Sequence, residues 1–328
     1  MNSAQRSLLQ EPCNGVRSLS CPEMRVTEMA GLALQDTVLE LAEIDRWAGP
    51  FSAELKARAI DALESGKVVY FPKLAFVTQE SERGLLSPTV ADAKSKNVSL
   101  DPGSGSIKGT TAGDSERARL QAMLERFAAA STRLTGDLFP EYAAGLERAR
   151  TSYRPVEIVG RSYSARKDDK LLHVDAFPST PTHGRRILRL FSNIAPDGKK
   201  RIWRVGEPFQ DFAQKLLPSL RGQSAFVSWL LAAVGATKSR RTAYDQLMLG
   251  LHDGAKSDGA YQKDSPQVEI AFPPGTTWLC YTDQVLHAAL AGQFALEQTF
   301  HLDIASMHDP ARSPLKVLER MTGRTLVS

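Results

Sequence analysis

The last quarter of the chain constrains the fold most. QVEIAF (267–272), TTWLCY (276–281), 285–290 and ALEQTFHLDIA (295–305) are short segments of strand character, and only a few residues separate each from the next. Successive parallel strands need a crossover of roughly a dozen residues or more, and none of these gaps holds one. Turn residues fill them instead: Pro273-Pro274-Gly275 and Gly292. The run therefore fits an antiparallel sandwich better than βαβ units.

Upstream, strand signals appear at Val156–Val159 (VEIV) and Arg186–Ile194 (RILRLFSNI), and residues 67–76 (KVVYFPKLAF) read as a strand entering a loop. Helical patterns flank them. Residues 36–47 suit a short helix; a better one starts at Ser52 as N-cap, carries Leu55, Ala59, Ile60 and Leu63 on one face, and ends at Gly66. Leu120, Met123, Leu124, Phe127, Ala130 and Leu134 mark a strong amphipathic helix, and a helical insertion spans about 207–252. Residues 84–114, rich in Gly, Ser, Asp and Pro, read as a long loop with room for function. Residues 1–33 show no period and read as a poorly ordered lead-in to a single domain over 34–328. The fold class is α+β: a β-sandwich core with flanking helices.

With 42% hydrophobic and 24% charged residues the composition is that of a globular chain, and no window approaches the roughly 18–20 apolar residues of a membrane span. The N-terminus lacks the apolar core of a secretory signal. Cys13, Cys21 and Cys280 form neither a disulfide framework nor a zinc spacing, which suits a reducing, cytoplasmic setting. The net charge of +4 is unevenly spread: between Arg161 and Arg204 eleven Lys and Arg face four Asp, a local excess of +7. Such a segment points to an anionic substrate or surface, the plain alternative being a solvated basic face.

The sharpest local feature is Leu171-Leu172-His173-Val174-Asp175. Residues two apart on a strand share a face, so His173 and Asp175 point the same way. An imidazole and a carboxylate so placed can bind one metal ion, and a second histidine completes a 2-His-1-carboxylate triad with positions left open for a 2-oxoacid and O2. The triad's last member should come from a late strand. His287, after an apolar strand and a polar break, resembles the distal-histidine segment of 2-oxoglutarate oxygenases; His301 is the rival, with His183, His252 and His308 behind it.

Many of these oxygenases carry a basic residue on the strand after the distal histidine, to hold the far carboxylate of 2-oxoglutarate. Here that strand (295–303) has no Lys or Arg. A second branch places it shortly after the H-x-D, where this chain has Arg185, Arg186 and Arg189, followed by Asn193. Arg186 and Arg189 fall on opposite strand faces, so only one can share the metal's side. Arg189 is favoured, because its interval from Asp175 is close to that of the second branch, and an arginine grips a carboxylate with two parallel hydrogen bonds. Thr299 can add a hydroxyl. The aromatics Tyr70, Phe71, Tyr163, Phe177 and Trp203 read as core packing.

His173 to Pro196, together with Ala62–Pro72, Lys96–Pro102 and Arg201–Phe209, closely resembles the 3-deoxy-D-manno-oct-2-ulosonic acid (Kdo) hydroxylase family, from about residue 40 to the C-terminus. The resemblance implies a double-stranded β-helix (jelly roll) using Fe(II), 2-oxoglutarate and O2. It implies hydroxylation at C3 of the outer Kdo of Kdo2-lipid A, by a protein attached peripherally to the cytoplasmic face of the inner membrane; no nucleic-acid partner is expected. By charge and position, Lys96, Asn97, Lys108, Arg161 and Arg166 are candidates to contact the substrate. A 2-oxoglutarate oxygenase of another substrate, and a non-catalytic jelly roll binding anionic lipid, are the alternatives.

Overall fold

Two β-sheets face each other in a computed structural model that describes residues 25–29, 32–93, 95–160, 164, 166, 168–221 and 241–327. The elements are β1 (Arg25–Met29), α1 (Leu34–Thr37), β2 (Val38–Glu40), α2 (Ala53–Glu64), β3 (Val68–Phe71), β4 (Val98–Leu100), β5 (Ile107–Lys108), α3 (Asp114–Leu138) and β6 (Leu146–Arg154). There follow β7 (Arg186–Asn193), β8 (Arg201–Gly206), α4 (Phe209–Arg221), α5 (Ala243–Ser257), α6 (Gly259–Asp264), β9 (Gln267–Phe272), β10 (Thr276–Tyr281), β11 (His287–Ala291), β12 (Ala295–Leu302) and α7 (Pro314–Thr322). The smaller sheet has the order β1-β9-β8-β11 and the larger β2-β3-β10-β7-β12-β6-β4-β5. The pairings are antiparallel except that of β2 with β3.

Strand alternation sorts the larger sheet into two faces. The outer face carries Val69, Phe71, Leu188, Leu190, Leu279 and Leu296, which pack with Leu63 of α2 and with Leu124 and Phe127 of α3. The helix signals act as read: Ser52 Oγ accepts the Leu55 N–H at 3.2 Å, and α2 buries Leu55, Ala59, Ile60 and Leu63. The inner face sets Val68, Tyr70, Phe191 and Trp278 against Trp203, Val205, Val268, Ile270 and Phe272 of the smaller sheet. Phe272 and Trp278 lie 4.1 Å apart between ring centroids and almost parallel, and Phe191 meets Trp203 edge-on at 4.9 Å. Each such pair adds about 0.5–1.5 kcal/mol beyond its buried area.

Among the described residues, this inter-sheet core draws on β2, β3, β7 and β10 of the larger sheet. On the other strands the inner face is polar. Phe191 lies opposite Glu297, Glu297 opposite Ser152, Ser152 opposite Ser99, and Ser99 opposite Lys108. Cross-strand partners share a face, so these polar residues continue the surface on which Phe191 is buried.

A third apolar cluster joins α4, α5 and α7 through Phe212, Leu216, Met248, Leu251 and Leu318, and it includes Val174 and Leu286. These two alternate with His173, Asp175 and His287, so the helical layer backs the segments that carry the three polar side chains.

Several expectations need correction. Residues 36–47 are not a helix: α1 ends at Thr37, and Val38–Glu40 joins the sheet edge beside β3. VEIV is not a strand, because the Glu157 carboxylate turns the chain there by accepting the Ile158 and Gly292 N–H groups. The strand is Leu146–Arg154. The 84–114 loop contains β4 and β5. Arg25–Met29 of the lead-in pairs with β9, whereas residues 1–24, with Cys13 and Cys21, lie outside the described residues. Helices of the insertion extend past 252, to Asp264.

Candidate metal centre and its surroundings

His173 and His287 form an antiparallel bridge. The His173 N–H donates to the His287 carbonyl at 3.1 Å and the His287 N–H donates back at 2.9 Å, while the Asp175 N–H donates to Thr282 O at 2.7 Å. This short ladder fixes the three side chains on one side. One ligand atom from each of His173, Asp175 and His287 lies within 4.8 Å of the others, and all three residues are buried. His301 and His183 are not in the group.

The imidazoles are prepared for a metal. His173 Nδ1 lies 2.7 Å from Leu171 O and His287 Nδ1 lies 2.9 Å from Val285 O. A carbonyl only accepts, so Nδ1 holds the proton and the Nε2 lone pair is free. Burial lowers the pKa of both rings, and at His287 it outweighs the Asp175 carboxylate and the Val285 carbonyl, which act the other way. Asp175 is opposite in sense. Burial alone would raise its pKa, but the Arg189 guanidinium, the strongest of its charged neighbours, opposes this, and the carboxyl stays well below its usual range. Asp175 Oδ2 is buried and, among the described residues, accepts no well-formed hydrogen bond; Arg189 Nη1 lies 3.2 Å away. Two neutral imidazoles, an ionised carboxylate and an unsatisfied buried oxygen fit a divalent metal ion.

Around this centre runs a chain of alternating charge. Arg189 Nη1 is also 3.2 Å from Glu297 Oε1. Glu297 Oε2 accepts from Arg154 Nε at 2.9 Å and Nη2 at 2.7 Å. Asp169 then lies 3.6 Å from Arg154 and 3.0 Å from Lys96. Burial works against ionising Asp169, yet Arg154 and Lys96 bring its pKa down to about 2. Arg201 is 2% exposed; its Nη1 donates to Gly292 O at 3.4 Å and its Nε has no partner among the described residues. Trp203 stacks on His287 with centroids 5.2 Å apart, and His252 meets His173 edge-on at 5.3 Å.

The expected site residues divide. Thr299 lies opposite Arg189 across the β12–β7 pairing. Lys96 reaches the charge chain through Asp169, and Asn97 and Lys108 line a cleft with it. Arg186 belongs elsewhere: it is fully buried on the other face, donating to Asp283 at 2.8 Å and Gln284 at 2.6 Å. Asn193 serves a turn, its amide donating to Lys199 O and Phe272 O and its carbonyl accepting from Ala195. Arg166 pairs with Asp253 at 3.1 Å, on the outside. Arg161 lies outside the described residues. Among the described residues of the basic central segment, Arg186 and Arg201 are buried and Arg189 nearly so, and these three add no charge to the surface. Arg154, Asp169, Arg201 and Glu297 escaped the sequence reading. The alternation of Arg150, Ser152 and Arg154 along one strand was the available signal. Trp203, read as core packing, is core and also flanks the site.

The model of the family described as 3-deoxy-D-manno-oct-2-ulosonic acid (Kdo) hydroxylase matches residues 46–325. A search of curated proteins gives no match. Among solved structures, the Kdo hydroxylase KdoO, a non-heme Fe(II) α-ketoglutarate-dependent dioxygenase, in complex with α-ketoglutarate and Fe(III), is 48% identical. That match covers 89% of this chain and 97% of the other, with a TM-score of 0.84. The same enzyme in complex with cobalt(II) matches at the same identity and coverage with a TM-score of 0.85. Agreement over nearly the full length of both chains, together with the family match across the metal centre, establishes that this chain belongs to the Kdo hydroxylase family.

Proposed function

We propose that the protein is an Fe(II)- and 2-oxoglutarate-dependent dioxygenase that hydroxylates C3 of the outer Kdo of Kdo2-lipid A, built on a double-stranded β-helix. The observation that carries this reading is the buried group of His173, Asp175 and His287 within a member of the Kdo hydroxylase family. These three residues would hold iron, leaving open positions for 2-oxoglutarate and O2. Iron bound there supplies the activation of O2 that a C–H hydroxylation requires.

The chain's own residues supply positioning and electrostatics. The bridge between His173 and His287 fixes the ligand spacing before metal arrives. Arg189 lies against Asp175 and can grip the far carboxylate of 2-oxoglutarate, with Thr299 opposite it to donate a hydroxyl hydrogen bond. Glu297 holds Arg189 and Arg154 in register at 3.2 Å and 2.7 Å. Trp203 shields one side of His287 from water. A membrane-embedded glycolipid would be met by peripheral attachment at the cytoplasmic face of the inner membrane. Among the described residues no helix is long and apolar enough to cross a membrane.

The test is to incubate the protein with Fe(II), 2-oxoglutarate and Kdo2-lipid A in air and examine the sugar by mass spectrometry. One oxygen gained on the outer Kdo, with matching succinate, is the expected result. Succinate release stimulated by a different substrate, with Kdo unchanged, would remove the substrate assignment and keep the chemistry.

A further inference from the structure

Beyond the metal centre, the polar half of the larger sheet's inner face leads outward to an open cleft of about 270 Å³. Lys96, Asn97, Ser99, Lys108 and Arg150 line it, with Asp101 as its carboxylate. The register links it to the centre: Lys108 lies opposite Ser99, Ser99 opposite Ser152, and Ser152 opposite Glu297, which pairs with Arg154 and Arg189. Arg150 and Arg154 are four residues apart on β6, a span of roughly 13 Å along a strand.

Arg150, which lines the cleft, sits at a bulge of β6. Between Gln298 and Phe300 the partner strand β12 advances two residues, while β6 advances three, from Thr151 to Arg148. The extra residue on β6 therefore falls at Ala149–Arg150, and bulges of this kind re-aim side chains next to functional sites. The wall opposite is held close by Gly109, whose φ is +80° and where an added Cβ would lie 2.2 Å from Asn97 O. Three cations, Lys96, Lys108 and Arg150, thus line the cleft against one carboxylate, Asp101, with Lys96 also paired to Asp169 at 3.0 Å. Asp101 Oδ1 is committed to the Gly103 and Ser104 N–H groups, and neither Lys108 nor Arg150 makes an ion pair among the described residues. Asn97 Oδ1, also in this wall, is buried without a partner among the described residues.

We infer that this cleft is a second anionic subsite, in which Arg150 and Lys108 hold a carboxylate or phosphate of the substrate while the reacting sugar lies at the metal centre. The inference rests on the reading above that a Kdo glycolipid is the substrate, and it adds a specificity element remote from the reacting carbon. A free sugar acid would fill only the inner end. A glycolipid with a further acidic group roughly one strand segment away would fill both.

Binding is read at equilibrium, without O2, using the full-length protein with Fe(II) and 2-oxoglutarate. The probes are Kdo2-lipid A in detergent micelles, its dephosphorylated form, and free Kdo. Arg150→Ala with Lys108→Ala should weaken Kdo2-lipid A binding by roughly a hundredfold, about tenfold for each charge-assisted hydrogen bond removed. Affinities for free Kdo and 2-oxoglutarate should stay as in wild type, and Arg150→Lys should restore part of the loss. If dephosphorylated Kdo2-lipid A binds wild type weakly and ignores the substitutions, the group held is a phosphate. If it binds well and still senses them, the group is a sugar carboxylate; either result supports the subsite. Variant affinity for Kdo2-lipid A within twofold of wild type, or a wild type that binds none of the probes, overturns it. Tight, substitution-sensitive binding with no oxygen gained in air would leave the subsite standing and sink the hydroxylation itself.

Discussion

Replacing Arg186 by methionine isolates a structural arginine from a site arginine three positions along the same strand. Arg186 is 0% exposed, and its guanidinium donates to Asp283 at 2.8 and 3.4 Å and to Gln284 at 2.6 Å. It also lies 3.7 Å over the Tyr281 ring, whose face attracts a cation. Methionine preserves most of the volume, so the cavity term is small. The dominant cost is Asp283, left 1% exposed with no cation. Removing one partner of such a pair costs about 3–5 kcal/mol. At about 1.6 °C per kcal/mol for a domain of nearly 300 residues, the melting temperature should fall by roughly 5–8 °C. Adding Asp283→Asn removes the stranded charge and should recover a large part of the loss. Thermal melts followed by circular dichroism give the stability, and succinate release below the melting range gives KM for 2-oxoglutarate. A normal melting temperature, or a KM for 2-oxoglutarate raised severalfold in the folded variant, would show that Arg186 does not have this role.

Four further outcomes are expected. His173→Ala, Asp175→Ala and His287→Ala should each abolish Fe(II) binding in anaerobic dialysis and succinate release while the circular dichroism spectrum persists; His301→Ala should bind iron normally. Arg189→Met should raise KM for 2-oxoglutarate by roughly ten- to a hundredfold, the worth of a hydrogen bond between charged groups, and Arg189→Lys should raise it less. Gly109→Ala meets both a left-handed φ of +80° and a 2.2 Å clash with Asn97 O, so it should cost about 1–3 kcal/mol and expose residues 95–110 to limited proteolysis. Cobalt(II) at a thousandfold excess over its Kd should stabilise the wild type by about 4 kcal/mol in urea melts and leave His287→Ala unmoved.

What the sequence disclosed follows from how each feature is encoded. α2 and α3 were legible because a cap and an apolar stripe are local patterns, and α2 forms with its cap at Ser52 as read. The turn-rich C-terminal strands were legible for the same reason. β6 was not. Its inner positions, Arg150, Ser152 and Arg154, face a polar site rather than an apolar core, so LERARTSYR carries no hydrophobic alternation to detect. VEIV has that alternation, but a single carboxylate, Glu157, caps the chain into a turn. His173 and Asp175 could be paired from their spacing alone. Choosing His287 over His301 depends on a bridge between segments far apart in the chain, which no local pattern announces. The separation of Arg186 from Arg189 was implicit in strand parity; that Arg186 faces Asp283 was not.

The unequal filling of the larger sheet's inner face separates the grounds on which this fold can evolve. Substitutions among Phe191, Trp203, Phe272 and Trp278 disturb a packed interior and cost about 3–5 kcal/mol for an aromatic lost. At Lys108 and Arg150, exposed residues of an open cleft, a change of charge alters stability by only about 0.5 kcal/mol. Selection can therefore retune which acidic groups are accepted at one end of the sheet without drawing on the stability margin held at the other.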